Sequence, residues 1–563
     1  MTSKIFKISA VAATIAASFA ANAALYDVYL EAPEGTSTNL LTYGVAISPE
    51  TVKSGANTCW DEACDKTTSI MATEVKRYRE GFNYRDEAPF FLPFGWNYLD
   101  DNWEGFRNYC RSYLGYADTL CENWANAQYN SGYKNEWIDK NFAGSIAYLN
   151  GSVVKADVNT VVNGIYKDLN DSNKLKSIGS SQNTNISSYR SFNGLVDTSV
   201  DTFDTTEINS SFYWTRKELT TNTGSIVFTV GSVTRNNVET GNRRIFTSKP
   251  AIWTGDPVSS VIELPWPNSD RKENGDSKSQ GSARDIIVDS NDNSILYAVG
   301  YTSDGDVRLK AAVFKSKDSG STWEGFGSGG SNLVSGFPFD SEKYANQTLQ
   351  AVNNNKIAIG TAKLNERQSG AYANSLFYVT NLDAPSYNAF TGGIFFEGAN
   401  GLAGNINNHN DVVGTIDFET HAEANGKPRA QRAFITNLGT APGTVPGSAA
   451  PIGGQARYLD DLTNGSASTD NNQFRIIQAA DINDAGVIAA TAYYCAGGFD
   501  STAIDAKCTA GASLAGVKLV PISGRTANDI TPRPVTQTTV ERQGGSLGIL
   551  VLTVLGLLGF RRK

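Results

Sequence analysis

Histidine is nearly absent from this chain. His409 and His421 are the only two in 563 residues, and no pair of cysteines has the CxxC spacing, so the ligands of a zinc centre are missing. The two histidines stand near Asp411, Asp417 and Glu419, which invites a metal cluster. Both flank a repeat strand and read instead as turn and loop residues, and no metal ligand is assigned. No G-x-S-x-G elbow, H-E-x-x-H helix or phosphate-cradling loop occurs, and no Ser-His-Asp set stands out. No catalytic residue is assigned either. Asp289-x-Asn291-x-Asn293 opens like a calcium loop, but Gly300 occupies the place of the closing glutamate. A full EF-hand is excluded, and a looser structural calcium in a turn is the one cofactor left open. Positive charge is also short. With 48 Lys and Arg against 57 Asp and Glu the net charge is -9, which argues against nucleic acid or anionic lipid as a partner.

What is present begins with an address. Lys4 and Lys7 precede an apolar run from Ile8 to Ala20, and Ala21-Asn22-Ala23 is a small-x-small cleavage site. The run is too short to span a bilayer, and residues 1–23 read as a signal peptide cut by signal peptidase after passage through the secretion machinery. The six cysteines of an exported chain are expected to be oxidised. They form three local pairs, Cys59 with Cys64, Cys110 with Cys121, and Cys495 with Cys508; short loops favour this pairing among the 15 that six cysteines allow.

The chain then repeats one phrase: a small apolar residue, an Asn/Asp-rich turn, and an alternating strand closing on Gly or Ala. Its copies are Ala351–Gly360, Gly404–Gly414, Ala480–Ala489 and, more loosely, Asp285–Gly300. Each reads as strand, tight turn, strand, because Asn, Asp and Gly tolerate the left-handed backbone of hairpin turns. Recurrence every ~50 to 75 residues is the spacing of a propeller blade. Helical periodicity is scarce from Ser225 to Leu519. Residues 78–150 differ in kind, with crowded aromatics and a helical spacing through Trp103, Phe106, Tyr109 and Tyr113, then Leu120 and Trp124. This predicts a small helical insertion held by Cys110 and Cys121, whose rings form a mini-core or, less simply, a glycan-stacking surface with Asp86, Glu87, Asp100, Asp101 and Glu104. Asp168 to Ser211, rich in Asn, Ser and Thr, reads as loops or a boundary.

The predicted architecture is mainly β. Residues 24–215 carry N-terminal strands and the aromatic, partly helical, disulfide-containing insertion. Residues 216–530 form a β-propeller-like repeat region, with which the N-terminal strands can complete one ring. A polar linker spans 531–543 and a short C-terminal membrane helix lies in 544–563.

Three stretches carry resemblances. Ser316-Lys317-Asp318-Ser319-Gly320-Ser321-Thr322-Trp323 matches S-x-D-x-G-x-T-W and resembles the Asp-box of sialidases, sortilin-like receptors and other propellers. There the box is structural, which implies that Ser316, Asp318, Gly320, Thr322 and Trp323 build a hairpin turn. The arginine cluster of a sialidase is only faintly matched by Arg243-Arg244. Gly544-Gly545-Ser546, an apolar run from Leu547 to Phe560, and Arg561-Arg562-Lys563 closely resemble the GlyGly-CTERM sorting tail, which implies processing at Gly544, Gly545 and Ser546 by a rhombosortase-type intramembrane protease. Loss of both ends takes the net charge to about -14. The repeats resemble extracellular HAF-type repeats, with Arg432-Ala433-Phe434 in the place of His-Ala-Phe, and the whole chain resembles an uncharacterised exported Gram-negative family of domain-of-unknown-function type.

The functional expectation is an exported, transiently membrane-anchored binding protein, at the cell surface or outside the cell, with an extracellular glycan or protein as ligand. The alternatives are a secreted, sialidase-like glycan hydrolase and a structural envelope protein. A deep axial pocket lined by carboxylates and arginine favours the enzyme, and a shallow, filled axis favours the binder.

Overall fold

The computed structural model describes residues 23–536, except 34–40, 50–57, 76–101, most of 135–145, 183–191, 201–207, 239–243, 268–272, 440–449, 466–470 and a few isolated positions. The expected leader and sorting tail therefore lie outside the described residues. Among the described residues no helix is long and apolar enough to cross a membrane.

The chain folds as a seven-bladed β-propeller of four-stranded antiparallel sheets. The innermost strands are Thr42–Ile47, Thr160–Lys167, Ile208–Thr221, Ser282–Asp289, Tyr344–Val352, Gly401–Ile406 and Phe474–Ile482, numbered here as blades 1 to 7. The N-terminal strand Tyr26–Leu30 is the outermost strand of blade 7, paired with Ser513–Pro521 from Tyr26↔Pro521 to Leu30↔Val517. Chain start and chain end thus share one sheet, and the N-terminal strands belong to the same ring as the repeats. Asp168 to Ser211, read as loops, contains most of blade 2, with strands Leu175–Gln182 and Phe192–Val196. Its serines mislead because Ser177, Ser180 and Ser181 are buried between blades rather than turned to water.

Every inner strand carries a β-bulge. The register against the second strand slips between Gly44 and Ala46, Val162 and Gly164, Tyr213 and Thr215, Ala283 and Asp285, Leu349 and Ala351, Ala403 and Ile406, and Ala479 and Asp481. A bulge interrupts the ladder and brings the inner strand's backbone close to its neighbour. In five blades the facing residue of the second strand is glycine: Gly179, Gly231, Gly300, Gly360 and Gly414. A Cβ at any of them would overlap an inner-strand carbonyl, that of Val161, Phe212, Ser282, Thr348 or Leu402. This is why the repeated phrase closes on glycine.

In four blades the amide just before the bulge is satisfied from the preceding blade. Thr491 Oγ1 accepts from Gly44 N at 3.2 Å, Glu74 Oε1 from Val162 N at 2.8 Å, Ser180 Oγ from Tyr213 N at 3.2 Å, and Thr361 Oγ1 from Ala403 N at 3.2 Å. The Asn turns repeat this logic at the end of the strand. Asn353 and Asn407 each fold their own turn, Oδ1 accepting from the amides two and four residues on, and Asn483 Oδ1 accepts from Val487 N. Each Nδ2 then donates to the next blade: Asn353 to Asn407 O, Asn407 to Asn483 O, and Asn483 to Ser48 O. The left-handed turn position falls on Lys356 (φ 62°), Asn410 (φ 65°) and Gly486 (φ 86°).

The aromatic insertion joins the second and third strands of blade 1. Helices Asn102–Tyr109 and Asp118–Ala125 are linked by the Cys110–Cys121 disulfide and bury Phe106, Tyr109, Tyr113 and Tyr129. Tyr109 stacks on Trp124 with centroids 5.7 Å apart and on Tyr113 at 5.5 Å, so the rings form the insertion's own core. The insertion docks far from its root: Ala117 N donates to Gly426 O at 2.9 Å and Asn425 N to Gly115 O at 2.8 Å, in the blade 6 loop. Cys59 is bonded to Cys64 and Cys495 to Cys508. Beyond the last strand the chain stays on the ring as far as it is described. Arg533 is 5% exposed, and its guanidinium donates to Asp460 O at 2.8 Å and Thr502 O at 3.1 Å.

Replacing Gly360 by Ala is expected to lower unfolding stability by about 1–3 kcal/mol, because the bulge leaves no space for a methyl group. Gly393→Ala, where a Cβ meets nothing within 4 Å, is the control. Equal denaturant midpoints for the two variants would show that the glycine is not a steric requirement.

Candidate functional site: the axial cavity

The inner strands enclose a cavity of about 1000 Å³ along the propeller axis. Because the four strands of a blade alternate in direction, the Asn turns and the Ser316–Trp323 turn lie at one end of the ring, and the loops between second and third strands lie at the other. At that second end Tyr109 and Leu114 of the insertion contribute to the cavity wall.

Each bulge turns one side chain toward this axis. The unpaired positions are Val45, Asn163, Trp214, Arg284, Gln350, the Gly404-Asn405 pair and Ala480, and all of them line the cavity. Blades 2 to 5 thus contribute a polar and aromatic arc, and blades 7 and 1 contribute small apolar groups. Arg284 lies over the Trp214 ring at 3.5 Å from its centroid, and Asn163 Nδ2 donates to Tyr213 O at 2.6 Å.

Carboxylates and arginines do line the axis; five of the six carboxylates are engaged in the scaffold, and the sixth, Glu218, is exposed. Asp285 accepts from Ile286 N at 2.8 Å and Val352 N at 3.1 Å and is paired with Lys217 at 2.6 Å. Asp481 accepts from Ile47 N of blade 1 at 2.9 Å and Asn405 Nδ2 of blade 6 at 2.5 Å. Asp484 accepts from Asn408 N and Nδ2, both at 2.8 Å. Glu74 serves Val162, and Asp168 pairs with Lys176 at 3.0 Å. Arg216 is held by Thr229 at 2.8 Å and Asp256 at 3.0 Å. Burial raises the pKa of Asp481 to about 6, against the hydrogen bonds from Ile47 and Asn405 that lower it. Burial also lowers that of Lys363, whose Nζ donates to Tyr372 O at 2.5 Å, to about 8.

The residues singled out in the sequence fall elsewhere. His409 sits in the blade 6 Asn turn, its amide held by Asn407. His421 lies in the loop at the opposite end, 3.6 Å from Glu419. Asp411 and Asp417 are buried separately, with Asp411 held by Asn437 and Asp417 paired with Arg429. Among the described residues no group of three His, Cys, Asp or Glu side chains could hold a metal ion. In the calcium-like turn, Asp289 accepts from Asn291 N at 2.9 Å and is paired with Lys356 at 2.6 Å, so a cation already sits on that carboxylate. In the Ser316–Trp323 turn Asp318 Oδ1 accepts from Thr322 N at 2.8 Å and Oδ2 from Thr322 Oγ1 at 2.6 Å, while Ser316 Oγ accepts from Gly320 N at 3.0 Å. Ser319 and Gly320 are left-handed, Trp323 packs on the blade 4 core, and none of these residues lines the cavity. Arg243, Asp86, Glu87, Asp100 and Asp101 lie outside the described residues. The bulge residues were missed; their only sequence signal is the apolar-Gly-Thr step of the second strands, as in Ile359-Gly360-Thr361 and Val413-Gly414-Thr415.

The sequence pattern of a family described as protein of unknown function, DUF3466, matches residues 115–563. The chain belongs to this family. No curated protein matches the DUF3466 chain. Among solved structures it is similar to a Bacteroides thetaiotaomicron protein described as a glycosidase (10% identity, 56% of this chain and 93% of that chain covered, TM-score 0.26). It is also similar to a Bacteroides ovatus glycosyl hydrolase (9%, 57% and 86%, 0.25) and a Podospora anserina α-L-arabinofuranosidase (10%, 57% and 93%, 0.22). At these scores the likeness carries no argument about activity.

The pKa of Asp481 sets a pH dependence. Its folded value lies above the ordinary 3.8, so between about pH 4 and 6 the folded state binds a proton that the unfolded state does not, and stability rises as pH falls through that window. Calorimetry is expected to show an acid-side gain in melting temperature that shrinks in Asp481→Asn. The same gain in both proteins would contradict the assignment to this carboxylate.

Proposed function

We propose that this DUF3466 protein is an exported binding propeller that holds a ligand in its axial cavity and performs no chemistry on it. One observation carries the reading: Asp285 and Asp481, two of the acids that line the cavity, accept hydrogen bonds from the backbone amides of neighbouring blades. A general acid or base must exchange its proton with substrate at hydrogen-bond reach, whereas these carboxylates hold the ring together. The depth of the cavity and the raised pKa of Asp481 support the hydrolase alternative, and the engagement of both Asp481 oxygens weighs against it.

Export and tail processing rest on the sequence. The Ala21-Asn22-Ala23 leader site and the Gly544-Gly545-Ser546 tail imply a chain delivered across the inner membrane, held briefly by its C-terminal helix, and then released to the surface or medium by an intramembrane protease. Glycine at the start of that helix leaves its backbone easy to unwind for cleavage.

Both halves are read from one preparation. Intact-mass analysis of the released protein is expected to place its ends near Ala24 and Gly544–Ser546, and incubation with a panel of oligosaccharides is expected to leave them uncleaved. Phe560–Lys563 on the released protein would contradict the processing, and cleavage abolished in Asp481→Asn would make the protein a hydrolase.

A further inference from the structure

The seven bulges give the axis a ring of side chains that, unlike the scaffold around it, does not repeat. From this ring we infer that the axial cavity binds a neutral oligosaccharide, an inference that rests on the reading of the cavity as a ligand site. β-Bulges re-aim side chains at functional sites, and here one bulge per blade points at a shared space.

The ring's chemistry selects the class. Six carboxylates and five cationic side chains line the cavity; Lys217 is paired with Asp285 of the lining, and Arg216 with Asp256 behind it. With six acidic and five basic side chains in the lining, neither an anion nor a cation is favoured by the count of charges. What the wall presents is planar and polar. Gln350 and Gln478 are half-buried on the cavity wall, and their carboxamides make no hydrogen bond among the described residues. Each offers two donors and an acceptor, which matches vicinal hydroxyl groups. Trp214 adds an aromatic surface, partly exposed and lining the cavity, with Arg284 packed on its ring. Its Nε1 is buried without a partner. Carboxamides and an indole lining one cavity suit a molecule with hydroxyl edges and apolar C–H faces. The volume, about 1000 Å³, lies at the upper end of small-ligand sites and fits several linked sugar rings. Across the axis, Val45 and Ala480 leave room for the ligand's other side.

The test is calorimetric titration of the released protein with maltotriose, cellotriose and chitotriose, each to about 10 mM, with 3′-sialyllactose as the acidic arm. At least one neutral trisaccharide is expected to bind. Gln350→Leu and Trp214→Ala are each expected to weaken it roughly tenfold or more, with the melting temperature of Gln350→Leu unchanged. Absence of binding by all three neutral sugars overturns the inference. Binding of 3′-sialyllactose alone, weakened by both variants, overturns the neutral class and keeps the cavity as the site. Binding that neither variant alters overturns the cavity reading as well.

Discussion

The structure depends on one recurring hydrogen-bonding problem. A bulge in each inner strand takes a backbone amide out of its own ladder, and a buried amide without an acceptor destabilises the fold by about 1–3 kcal/mol. In blades 1, 2, 3 and 6 the amide is satisfied by a side chain on the second strand of the preceding blade: Thr491, Glu74, Ser180 and Thr361. Blades therefore complete each other in order, and the order must close. Closure comes from Tyr26–Leu30 pairing with the last strand and from Asn483 donating to Ser48 of blade 1. The N-terminal strands and the repeat region thus form one ring rather than two domains.

This accounts for which parts were legible in the sequence. The Asn turns were, because a hairpin turn is a local event: Asn353, Asn407 and Asn483 organise the residues that follow them within four positions. The helical insertion was legible for the same reason, through the spacing of Trp103, Phe106 and Tyr109. The bulges were not, because a bulge is a relation between two strands and neither Trp214 nor Gln350 looks unusual within its own segment. Blade 2 was hidden by its composition, since Ser177, Ser180 and Ser181 face neighbouring blades where a reader expects Val or Ile. Only the glycines facing the bulges left a trace, and their role becomes visible once the register is known.

The division of labour follows. Carboxylates that line an axial cavity invite a catalytic reading, yet Asp285 and Asp481 hold blades together through Val352 N and Ile47 N. The repeating positions build the ring, and the non-repeating bulge positions, from Val45 to Ala480, furnish its interior. Side chains at the bulges can change with the blade-to-blade bonds left in place. The insertion adds one asymmetric element, reaching from blade 1 to the blade 6 loop and setting Tyr109 and Leu114 at one end of the cavity.

Hydrogen exchange tests the central claim most directly. If each blade satisfies the next, the amides of Gly44, Val162, Tyr213 and Ala403 exchange only when the ring opens as a whole, and their protection equals that of the central second strands. Exchange of these four amides at rates typical of strand irregularities, with the second strands still protected, would contradict the account.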